Sequence, residues 1–130
     1  MHVLVFSKPN NDAKTRLIVE ISQIPGIAPK IIQNHRNFAR ILKSGHTHYQ
    51  AIVFLAGDRK DLDMAVSLHR YLSLSQLILI LPNKNTETVN QALALNPGVL
   101  AFSDGNFKKS ISILAKMATL ESHDPEYITD

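Results

Sequence analysis

Cysteine is absent from the 130 residues, which excludes disulfides, thiolate catalysis and cysteine-built zinc or iron–sulfur centres. That absence suits oxidising and reducing compartments alike. No apolar run approaches the ~18 consecutive residues of a membrane span. The opening residues lack the basic, apolar and small-residue parts of a secretory signal, so the expected location is the cytoplasm. Gly57 and Gly105 stand isolated, in neither a G-x-G-x-x-G nor a G-x-x-x-x-G-K-S/T pattern. Nothing therefore supports a dinucleotide or P-loop nucleotide site. Repeats and low-complexity segments are missing too.

What is present is an ordinary globular balance, 45% hydrophobic and 19% charged. The chain is long enough to bury one core without metal or disulfide staples. Its net charge of +3 is unevenly spread. Residues 121–130 carry Glu121, Asp124, Glu126 and Asp130 with no Lys or Arg, so residues 1–120 hold all 14 bases against 7 acids. A basic body steers acidic partners; the plainer reading is a solvated surface with a slight basic bias. The tail from Ser122 has a proline and no periodicity and is expected to be mobile, which leaves residues 1–120 as the domain.

Five short apolar runs read as strands: His2–Phe6, Pro29–Gln33, Gln50–Leu55, Leu77–Leu81 and Val99–Phe102. Their nearly continuous apolar character is that of parallel strands buried on both faces. Each is followed by a helical pattern. Asn11 or Asp12 can cap a first helix to about Ile24, with Leu17, Ile18, Ile21 and Ile24 on one stripe. Asn34 can cap a second, to about Ser44, with Phe38, Ile41 and Leu42 inward and Gly45 at its end. A third carries Leu62, Ala65, Val66, His69 and Leu72 on its inner face. A fourth, capped by Asn85 or Thr86, carries Val89, Ala92, Leu93 and Leu95. The last begins in Ser103–Asn106 and places Phe107, Ile111, Leu114 and Ala118 on one face. Five β-then-α units imply an α/β fold, a three-layer α/β/α sandwich with a five-stranded parallel sheet of flavodoxin-like order 2-1-3-4-5.

The element order and spacing resemble the receiver domain of response regulators over residues 1–120. The stretch from Asn96 to Phe107 looks like that family's turn, fifth strand and final loop. The resemblance implies a site with an acidic pair after the first strand, a phosphorylated Asp after the third, a hydroxyl after the fourth and a Lys after the fifth. The carboxylates would hold a divalent metal against the incoming phosphoryl group. Carried over position by position, Ser7 and Lys8 fall at the acidic pair and Leu55 at the acceptor. Leu81 or Pro82 falls at the hydroxyl and Ser103 at the lysine. The expectation is a pseudo-receiver, with those positions degenerate, no metal or other cofactor and no catalysis.

Three acids, Asp12, Asp58 and Asp104, lie in loops at the C-terminal edge of the sheet, where open α/β folds bind ligands. They make an alternative site for a metal, a small molecule or an unrecognised reaction, with helix capping as the plainer account. Asp58 is the acid of choice if one is phosphorylated. His46-Thr-His48 has a two-ligand spacing but no third ligand, and reads as exposed loop histidines. The bases fall in separate groups, among them Lys14/Arg16, Arg36/Arg40/Lys43, Arg59/Lys60 and Lys108/Lys109/Lys116, with few interleaved aromatics. Nucleic-acid binding is not expected, and neither is membrane binding. The expected function is signalling through a protein partner, an acidic one where a basic helix face meets it. By the same resemblance, a homodimer would use the fourth helix, fifth strand and fifth helix. That face carries Asn90, Gln91, Lys108, Lys109, Ser112 and Lys116, with Leu95, Leu100 and Phe107 adding apolar contact if they point outward.

Overall fold

A computed structural model describes residues 1–9, 11–45 and 47–122. Five parallel strands, β1 (His2–Phe6), β2 (Ala28–Ile32), β3 (Ala51–Leu55), β4 (Gln76–Leu81) and β5 (Val99–Phe102), form one sheet in the order β2-β1-β3-β4-β5. The three-layer sandwich expected from the sequence is the fold observed. Alternation along each strand splits the core in two. Leu4, Phe6, Ile52, Phe54, Leu79 and Leu81 face α2 (His35–Ser44), α3 (Arg59–Ser67), α4 (His69–Leu72) and α5 (Thr86–Leu93). Val3, Val5, Val53, Leu55, Ile78 and Ile80 face α1 (Ala13–Ser22) and α6 (Lys108–Ser122). Every residue of β3 is buried, which is why that run carries no polar residue at all.

The helix ends follow local chemistry. Asn34 caps α2 by accepting from the Asn37 N–H at 2.9 Å, and Gly45 closes it with φ +67°, a conformation that other L-residues resist. At α1 and α6 the neighbouring asparagines, not the aspartates, do the capping. Asn11 Oδ1 accepts from Ala13 N at 3.0 Å and Asn106 Oδ1 from Lys108 N at 3.1 Å, while Asp12 makes no side-chain cap bond. The last helix accordingly begins at Lys108 rather than within Ser103–Asn106.

One expected element divides. The stretch after β3 forms two helices, because Leu68 leaves the helical basin (φ −105°, ψ 11°) and its N–H reaches both Met64 O and Ala65 O. That tightened turn resets the phase. Leu68 and Leu72 turn inward, whereas Val66 and His69, expected on the inner face, are exposed. On α5, Leu93 is likewise exposed, while Leu95 beyond the helix end is buried. Leu95 and Phe107 are core residues, so neither adds apolar contact to the α5–β5–α6 surface. The helix of α6 continues to Ser122, past the expected boundary at 120, and the rest of the acidic tail lies outside the described residues. No helix among the described residues is long and apolar enough to cross a membrane.

Candidate functional site

β1 and β3 are neighbours in the sheet, so the residues that follow them meet at its C-terminal edge. Lys8, just after β1, reaches across to the start of α3. Its Nζ lies 2.8 Å from Asp58 Oδ2 and 3.0 Å from Asp61 Oδ1. The ammonium thus bridges two carboxylates. Asp61 is fully buried, and each of its oxygens has a donor. Oδ1 also accepts from His35 Nε2 at 2.7 Å, and Oδ2 accepts from the Gly57 N–H at 2.8 Å. Asp58 in turn caps α3, accepting from the Asp61 N–H at 3.0 Å. Asp58 thus caps the first turn while Asp61 reaches back to the Gly57 N–H just ahead of it, close in logic to a capping box. A carboxylate there also meets the positive end of the helix dipole. His35, first residue of α2, packs its ring 5.6 Å from Phe6 while holding Asp61.

Beside this cluster opens a cleft of about 650 Å³, lined by Lys8, Asn11, Asp12, Ala13, Gly57, Asp58, Pro82, Ser103 and Asp104. The three acids anticipated at the sheet edge all line it. Of the positions matched to a receiver site, Lys8, Ser103 and Pro82, one of the two candidates for the hydroxyl position, line it too. Ser7, Leu55 and Leu81 are fully buried, and the Ser7 hydroxyl donates to the Lys8 carbonyl at 3.2 Å. Behind Ser103, the Arg16 guanidinium donates to Ser103 O at 2.6 Å and lies 4.5 Å over the Phe107 ring. Among the described residues, no three His, Asp or Glu side chains converge closely enough to hold a metal ion. The His46–His48 pair includes a residue outside those described; His48 is exposed.

Asp61 and His35 are the residues that sequence reasoning missed. The signal for Asp61 is the Asp58-Arg-Lys-Asp61 spacing, a cap followed three residues later by a second acid. For His35 the sequence offers no equivalent signal.

The hydrogen bond to Asp58 raises the Lys8 ammonium above the ordinary lysine value, with Asp61 adding to it against the cost of desolvation. The hydrogen bond from Lys8, then the Asp61 N–H, lowers the Asp58 carboxyl below the ordinary aspartate range. Asp58 therefore contributes stability that is present above its unfolded value and lost as pH falls through the lowered one. Lys8 contributes stability that is present below its unfolded value and lost as pH rises through the raised one. Both side chains are partly exposed, so each limb is expected to be under about 1 kcal/mol. Urea unfolding across pH should show a plateau with a fall at each end, and Lys8→Met should flatten both falls.

No protein-family model and no curated protein matches the sequence. Solved structures do. RcsB from Salmonella enterica serovar Typhimurium, bound to promoter rprA in the presence of a phosphomimetic, superposes with a TM-score of 0.68 at 13% identity over 89% of this chain and 67% of that one. The signal receiver domain of the response regulator NarL from Mycobacterium tuberculosis gives 0.66 at 11% identity, over 91% and 95% of the two chains. The fold is that of a receiver domain. The signal receiver domain of a modulated diguanylate cyclase from Desulfovibrio desulfuricans agrees, at 0.63 and 18% identity over 92% and 97%. In this receiver fold the Lys8 cluster occupies the edge where the sequence comparison placed the acidic pair and the acceptor.

Proposed function

We propose that the chain is a pseudo-receiver, a signalling module that presents a surface to a protein partner and undergoes no aspartyl phosphorylation. The Lys8 ammonium between Asp58 and Asp61 carries this reading. The residues do not fit a divalent cation. A metal between those carboxylates would meet a tethered positive charge at contact distance, and Ser7 and Leu55 add no oxygen ligand of the required kind. Leu55, where the acceptor would stand, is buried in the core. On this reading the module has no catalytic activity and uses no cofactor. Any switching comes from a partner with different affinities for two states. A homodimer through α5, β5 and α6 belongs to the same reading, with exposed Leu93 as an apolar contact.

Incubation with Mg²⁺ and acetyl phosphate, followed by intact-mass measurement, should leave the mass unchanged. A stable adduct of one phosphoryl group would overturn the proposal. A second reading is favoured by the gathering of Asp12, Asp58 and Asp104 around one cleft: a module that binds a small molecule there. A ligand at 100 times its dissociation constant would then stabilise the fold by about 2.7 kcal/mol in a thermal-shift screen.

A further inference from the structure

One stretch of this chain carries bases without acids. No Asp or Glu occurs between residues 21 and 57. Within that stretch, α2 exposes Arg36, Arg40 and Lys43. Their i, i+4, i+7 spacing puts them on one stripe of the helix. Helix α2 packs against α4, which exposes His69 and Arg70 and also has no acid. The acids of neighbouring α3 are directed elsewhere. Asp58 holds Lys8, Asp61 is buried, and Asp63 accepts from Gln91 of α5. Among the described residues no ion pair engages Arg36, Arg40, Lys43 or Arg70; Arg40 donates only to Asn37 within its own helix.

We infer that the α2–α4 face docks an acidic helical segment of a protein partner. The inference rests on the pseudo-receiver reading and names the surface that reading requires. Arg36 to Lys43 covers about 10 Å of helix, a match for carboxylates at the same spacing on an opposing helix. Leu74, two residues past α4 and 72% exposed, offers an apolar contact beside the charges. A groove for single-stranded nucleic acid would call for exposed stacking aromatics. Here Phe38 is fully buried, Tyr71 is half-buried, and the chain has no tryptophan. A membrane-surface helix needs its apolar side free, whereas Phe38 is in the core and Ile41 and Leu42 pack against it.

The test uses a labelled synthetic helical peptide with Glu at i, i+4 and i+7, a short duplex DNA and phosphatidylserine vesicles as probes. Binding is measured at low and at physiological salt. The peptide should bind the full chain, more weakly as salt rises. Arg36→Glu/Arg40→Glu should weaken it by roughly tenfold or more. Lys14→Glu/Lys84→Glu, the same change of net charge away from α2 and α4, should leave affinity within about twofold. No peptide binding, equal losses in both double variants, or tighter binding to the duplex or the vesicles would each overturn the assignment. None of these results alters the acetyl phosphate experiment. A phosphoryl adduct with peptide binding intact would remove the pseudo-receiver reading and leave the docking face in place.

Discussion

Asp61→Ala is expected to cost about 2–4 kcal/mol of folding stability, a large fraction of what a domain of this size has. The carboxylate is fully buried and satisfies three donors at once: Lys8 Nζ, His35 Nε2 and the Gly57 N–H. Truncation leaves the part-buried Gly57 N–H and His35 ring nitrogen without that acceptor, opens a hole where a fully buried side chain stood, and strands whatever part of each donor water cannot reach. Lys8 loses one of its two partners but keeps Asp58 and its access to water, so it suffers least. Asp58→Ala should cost less, about 1 kcal/mol, because it removes a half-exposed cap. Asp61→Asn should fall between the two, since an amide oxygen can still accept from Gly57 but offers Lys8 no charge. Urea unfolding gives all three values, and a double-mutant cycle with Lys8→Met isolates the Lys8–Asp61 coupling. An Asp61→Ala cost below about 0.5 kcal/mol, the range of neutral surface changes, would mean that the buried carboxylate does not organise this edge. The pseudo-receiver reading would then lose its physical basis, because an ammonium without a structural counter-charge could be displaced by a metal.

The strands were legible because parallel strands buried on both faces leave an unbroken apolar run. β1 and β5 have the ends the sequence suggests; β2, β3 and β4 shift by a residue, within the ordinary fraying of such boundaries. The break at Leu68 was not legible. Apolar residues at 62, 65, 66, 69 and 72 fit one continuous helix as well as two, and only the pull of Leu68 into the core chooses between them. Capping was read correctly as a need: at α1 the structure chooses Asn11 from the two candidates, and at α6 it uses Asn106 where Asp104 was read as the cap. Asn and Asp have nearly equal cap preference, and Asn11 and Asn106 stand beside Asp12 and Asp104. The cleft acids were legible from topology alone, since strand ends of a parallel sheet share an edge. Asp61 was not, because an acid in a helix's first turn ordinarily faces water. Its burial depends on a lysine some fifty positions away and a histidine on another helix. Pairings of that range are created by the sheet order, which no local pattern encodes.

Phe38→Ala carries the other large expectation, about 3–5 kcal/mol. Phe38 is the one residue of α2 that is completely buried. It packs edge-on against Phe6 at 5.2 Å and Phe54 at 5.5 Å, and those two rings stack on each other at 4.6 Å. Phe6 and Phe54 belong to adjacent central strands, so the three rings fasten α2 to the middle of the sheet. Ile41 and Leu42 are only partly buried and cannot replace that anchor. The loss should therefore be local before it is global. Amide exchange in α2 should accelerate well ahead of exchange in β3 and β4, because the helix can detach while the sheet stays paired. The same variant tests the docking face without touching a base. With α2 loosened, Arg36, Arg40 and Lys43 lose their fixed alignment against α4, and affinity for the acidic peptide should fall although net charge is unchanged. Unchanged affinity alongside accelerated exchange would mean that the peptide reads charge alone. Uniform acceleration across the whole domain would mean instead that α2 has no independent stability, and that its basic stripe moves only with the core beneath it.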